Sequence, residues 1–79
     1  QRGKPDPQVF LLAADRMGTP PDRTVVIEDA PLGIEAARRA GMRCIALTSS
    51  HPAAALSAAD VIVSMLSKIT PVSVLELIK

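Results

Sequence analysis

The stretch VVIEDAPLGIEAARRAGM, residues 25–42, decides the fold. It starts as a greasy strand and ends as a helix. Residues 24–27 are a short β-branched run, apolar on both faces once Thr24 is passed. That pattern predicts a central parallel strand covered by helices on both sides. Pro31 can open the following helix. Gly33, Ala36, Ala37 and Ala40 place small residues on one of its faces, which lets a helix lie close to a sheet. Glu35, Arg38 and Arg39 face elsewhere, and Gly41 supplies the stop. Between strand and helix stand two adjacent acids, Glu28 and Asp29, with no compensating charge beside them in sequence.

Outward from this stretch, helices and strands alternate. Upstream, Asp6 is a suitable N-cap and Pro7 suits the first helical position. Phe10, Ala13, Ala14 and Met17 recur at helical spacing, and Gly18 can close the helix. Downstream, residues 44–47 read as a second buried strand, residues 53–59 as a short weak helix and residues 61–63 as a third strand. Thr70 caps a last helix that Pro71 starts, with Val74, Leu75 and Ile78 on one face. No internal repeat, low-complexity tract or domain linker interrupts the order. Strands alternating with helices imply right-handed crossovers, a parallel sheet and a Rossmann-like α/β class. Three strands make a thin sheet, and at least one side of TVVI calls for another strand. The physical expectation is a piece of a larger α/β unit, or a chain that pairs with another.

The bulk numbers agree with one small domain. At 79 residues, folding buries roughly 60% of the chain's surface, so stability is marginal without help. A hydrophobic fraction of 48% argues against disorder. Phe10 is the sole aromatic residue, so aliphatic side chains must do the packing. The formal charge of +1 gives no general reason to expect nucleic acid or an acidic membrane as partner. The single cysteine, Cys44, excludes an internal disulfide framework and reads as a buried inert thiol, in keeping with a reducing cytoplasm. Met42 and Met65 read as packing residues. No secretory signal pattern and no apolar run long enough to span a bilayer is present. The chain begins with Gln1 instead of methionine, which points to a truncated, cleaved or partial product.

In open parallel sheets ligands bind beyond the carboxyl ends of the strands, where Glu28 and Asp29 lie. Two neighbouring carboxylates repel, and a bound cation relieves this. Magnesium is the natural candidate, because it prefers hard oxygen ligands and often takes one or two carboxylates plus water and phosphate. Taken alone, the pair reads first as ordinary solvated acids at a strand end, with a capping role open to Asp29. In GKPDPQVF, residues 3–10, Lys4 precedes a Pro-x-Pro turn that restricts the backbone around it. A lysine so placed can act as a point charge on a phosphate, although taken alone it reads first as an exposed loop residue. His51, and Thr48, Ser49 and Ser50 before it, lie in the loop after the second strand. The histidine reads as a surface residue near the active end of the sheet, the hydroxyls as ordinary loop residues.

GKPDPQVF followed after one helix by VVIEDAPLGIEAARRAGM resembles the haloacid dehalogenase superfamily, in its phosphatase and phosphomutase branch that includes β-phosphoglucomutase. The resemblance covers nearly the whole chain and extends to RCIALT and AADVIV. It implies a Rossmann-like core with magnesium at the strand ends. Lys4 matches the family lysine that contacts the phosphoryl group and the nucleophile. Glu28 and Asp29 match the acids that hold magnesium directly or through water, Asp29 being the better direct ligand. Family catalysis proceeds through an aspartyl-phosphate, a covalent route that splits phosphoryl transfer into two steps.

The sequence departs from the family in one respect. It has no Asp-x-Asp, the motif that carries the family nucleophile. The family's Ser/Thr motif and its substrate-selecting cap are also expected before Gln1. Residues 1–79 are thus expected to be the C-terminal portion of a haloacid dehalogenase-like core, inactive alone. The intact protein is expected to be a magnesium-dependent phosphatase or phosphomutase acting on a small phosphorylated metabolite such as a sugar phosphate. Its partners are then that substrate and the missing N-terminal part of the core or another chain, with no nucleic acid and no membrane. The alternative is a non-catalytic α/β module that kept the scaffold and binds a partner through its open strand edge.

Overall fold

A computed structural model describes residues 6–78. Three parallel strands form one sheet, β1 (Val25–Glu28), β2 (Arg43–Leu47) and β3 (Val61–Val63), in the order β1-β2-β3. Three α-helices accompany them: α1 (Gln8–Met17), α2 (Pro31–Arg39) and α3 (Pro71–Ile78). This is the expected Rossmann-like α/β arrangement. Val26 pairs with Cys44 and Glu28 with Ala46, which brings the carboxyl ends of β1 and β2 side by side.

Alternation along the strands divides the packing. Val26, Cys44 and Ala46 share one face, and Ile34 and Ala37 of α2 pack there with Leu56. A second cluster joins Ala14 of α1 to Ala40 and Met42, and both Phe10 and Val26 touch each cluster. The small-residue face of α2 is buried as expected: Gly33, Ala36, Ala37 and Ala40 are all inside, together with Ile34. Arg43 and Ile45 point to the opposite face. There the Arg43 Nε donates to the Leu77 carbonyl of α3 at 3.1 Å, so helices cover both sides.

Helix ends follow their local chemistry. The Asp6 carboxylate accepts the Gln8 N–H at 2.8 Å ahead of α1. Gly18 and Gly41 take φ of 69° and 77°, the left-handed turn that ends α1 and turns the chain into β2. At α3, Thr70 Oγ1 accepts the Ser73 N–H at 3.1 Å, and Ser73 Oγ accepts the Thr70 N–H at 3.0 Å. This reciprocal pair satisfies two otherwise orphaned donors.

Several expectations are corrected. β2 is the buried strand, whereas β1 is half-buried and Ile27 is 46% exposed. The reason is position: among the described residues β1 pairs with β2 alone and is an edge strand. The inner face of α1 is Phe10, Leu11 and Ala14, while Ala13 and Met17 face out. Residues 53–59 form no α-helix. A 3-10 turn, Ala53–Leu56, stands there instead and buries one side chain, Leu56. Three alanines offer a helix too little apolar area to hold it on the sheet. Met65 and Leu75 are exposed.

Candidate active site

The turn between β1 and α2 is built by Glu28. The strand register directs this side chain to the α2 side of the sheet, where Gly33 leaves room for it. A methyl added at Gly33 would overlap the Glu28 carboxyl group. One oxygen, Oε1, accepts the N–H groups of Asp29 and Ala30 at 3.2 and 3.3 Å. Negative charge is favourable here, because these amides precede the amino end of α2. The capping role considered for Asp29 is not taken up: the N-cap of α2 is Ala30, with no side-chain cap bond, and Glu28 closes the turn just ahead of it.

Asp29 is then presented beyond the end of β1, half-buried. The loop after β2 reaches it from the neighbouring strand end. The hydroxyls of Ser50 and Ser49 lie 3.2 and 3.5 Å from Asp29 Oδ2. His51 Nδ1 lies 3.0 Å from the Asp29 backbone oxygen. A carbonyl oxygen only accepts, so Nδ1 carries the donated proton. Sequence reasoning ranked all three low, because hydroxyls and a histidine are ordinary in a loop. The signal that finds them is topological: adjacent parallel strands place the residues after β2 beside those after β1.

Among the described residues no lysine or arginine forms an ion pair with Glu28 or Asp29. Nor does any group of three or more His, Cys, Asp and Glu gather to hold a metal. Two hard carboxylates with no ion-pair partner among the described residues fit magnesium, which needs one or two protein carboxylates. Lys4 lies outside the described residues.

Several other ionisable groups serve the fold. Cys44 is buried at the amino end of β2, and burial, aided by the charges of Asp60 and Glu28, pushes its thiol up to about 11. Asp60 Oδ2 accepts the Cys44 N–H at 2.7 Å and fixes the start of β3 to β2. Arg38 and Arg39 pair with Glu35 on the outer face of α2. Hydrogen bonds from the two guanidiniums, Arg38 first, hold the Glu35 carboxyl below its usual range. Among the described residues no helix is long and apolar enough to cross a membrane.

Comparison with known proteins gives a consistent picture. A family described as haloacid dehalogenase-like hydrolase matches residues 1–41. A validoxylamine A 7'-phosphate phosphatase of Streptomyces hygroscopicus subsp. limoneus is 46% identical over 86% of this chain and 32% of its own. A haloacid dehalogenase-like hydrolase of Entamoeba histolytica superposes with a TM-score of 0.89 at 27% identity, over 99% of this chain and 36% of its own. A β-phosphoglucomutase of Clostridium difficile superposes with a TM-score of 0.84 at 26% identity, over 98% of this chain and 33% of its own. The chain thus spans about a third of the length of each of these relatives.

Proposed function

The chain belongs to the haloacid dehalogenase-like hydrolases, and from that premise we propose that it is the C-terminal part of the catalytic core of a magnesium-dependent phosphatase or phosphomutase. The substrate class is a small phosphorylated metabolite, with sugar phosphates first, as the names of a matched phosphatase and a matched phosphoglucomutase suggest. The observation that carries the reading is Asp29, set at the carboxyl end of β1 and held from the β2 loop with no basic partner among the described residues.

Asp29 would hold magnesium, with Glu28 contributing directly or through water while it keeps the turn closed. When bound, the ion neutralises charge on the phosphoryl oxygens. Lys4 provides a second positive charge toward the same oxygens. The nucleophile comes from outside these residues, since no Asp-x-Asp occurs in them. Its strand, in the rest of the protein or in another chain, pairs with the open edge of β1. Residues 1–79 alone are therefore inactive. A reducing compartment such as the cytoplasm suits the single buried thiol.

The test is phosphate release from a panel of sugar phosphates by the intact protein, with magnesium and with EDTA. Asp29→Asn and Lys4→Ala should each lower kcat/KM by about 100-fold, the scale of losing one charge-stabilising contact. Turnover indifferent to both EDTA and Asp29→Asn would refute the assignment.

A further inference from the structure

Three consecutive loop residues converge on one acid some twenty positions away in sequence: Ser49 and Ser50 on its carboxylate, His51 on its backbone oxygen. The register makes this possible. Glu28 pairs with Ala46, so the chain leaving β2 runs beside Asp29. Both hydroxyls address the same oxygen, Oδ2, and among the described residues Oδ1 accepts no hydrogen bond. His51 meanwhile fixes the peptide that carries the side chain. The two contacts together restrain backbone and carboxylate rotation and leave Oδ1 turned away from the loop.

We propose that Ser49, Ser50 and His51 are positioning residues that orient Asp29 so that Oδ1 is the oxygen offered to the metal. This rests on Asp29 being a metal ligand. Groups that hydrogen-bond a ligating carboxylate set its direction, and removing them typically costs about 10–100-fold in metal affinity or activity. The loop would then tune metal affinity without touching the phosphorylated substrate. A loop with a merely structural role would change stability and leave magnesium affinity alone.

The experiment titrates magnesium alone into the intact protein by calorimetry, with thermal midpoints as a folding control. Ser49 and Ser50 are exposed, so replacing them opens no hole. The double variant Ser49→Ala/Ser50→Ala should raise the magnesium Kd by about 10-fold or more. Its kcat at saturating magnesium should be retained. Ser50→Thr, which keeps the hydroxyl, should bind like the parent, and so should His51→Asn, whose amide can donate to the same carbonyl. His51→Ala should bind more weakly. Asp29→Asn separates the two claims. If it abolishes binding while the serine and His51→Ala variants bind like the parent, the orienting role is wrong and the metal site stands. If the serine variant weakens binding and Ser50→Thr weakens it equally, the hydroxyl is not the cause and the proposal fails. If Asp29→Asn binds magnesium like the parent, the metal site and the orienting role fall together.

Discussion

Glu28 and Gly33 form a coupled pair. The glutamate closes the turn by accepting the Asp29 and Ala30 amides, and the glycine makes room for its carboxyl group. Alanine is favoured over glycine in a helix by about 1 kcal/mol, while a displaced charged hydrogen bond forfeits about 1.5 kcal/mol or more. Gly33→Ala should therefore destabilise the protein slightly in the parent and stabilise it in a Glu28→Ala background. Urea denaturation of the four variants measures this, and stabilisation in both backgrounds would remove the coupling. Cys44 gives a second test. Its thiol is raised from 9.0 to about 11 in the folded chain, so between those values the unfolded chain holds fewer protons than the folded one. Stability is untouched below pH 9 and falls as pH rises toward 11. Thermal melts across that range should decline more steeply for the parent than for Cys44→Ala, and parallel slopes would contradict the shift. At this scale the acids and the small-residue face of α2 were legible, because both depend on local pattern. The separate tasks of Glu28 and Asp29 were not, since they depend on which way each side chain leaves the turn.

The crossover from β2 to β3 holds itself down through one side chain. Leu56 is fully buried in the cluster with Ile34, Ala37, Cys44 and Ala46, whereas Ala53, Ala54 and Ala55 of the same 3-10 turn are exposed. Leu56→Ala should cost about 2–5 kcal/mol, the usual range for a buried leucine, and Ala54→Ser close to nothing. Equal effects in chemical denaturation would show that the turn is not anchored in this way. Helix α3 depends on its start. Its reciprocal Thr70–Ser73 bonds make Thr70→Ala worth about 1 kcal/mol. The helix signals that were legible are of this kind: Thr70, Pro71, Gly18 and Gly41 each act within a few residues. The 53–59 segment misled because alanine favours a helix locally while offering the sheet almost nothing to bury. The α1 face misled for a related reason: Phe10 and Leu11 both turn inward, and Met17 lies past the end of the contact.

At the scale of the molecule, the unpaired edge of β1 links fold and function. The edge was legible in the sequence as a strand too apolar for its place in so thin a sheet. What occupies it was not, because no strand among the described residues supplies the partner. Ile27, Val9, Leu12, Val72 and Leu75 are large apolar side chains left exposed on β1, α1 and α3. If the edge is paired in the intact protein, the β1 amides that point away from β2 should resist hydrogen exchange there and exchange freely in the isolated 79-residue chain. Equal exchange in both would mean that no strand covers the edge. The same edge sets Asp29 between the β2 loop and whatever strand lies beyond, which is where the proposed chemistry takes place. The most direct measurement is therefore anomalous diffraction from crystals of the intact protein soaked with manganese as a magnesium substitute. The account predicts an ion on the Asp29 carboxylate that is lost in Asp29→Asn. An ion bound elsewhere, or one that persists in the Asp29→Asn crystals, would contradict it.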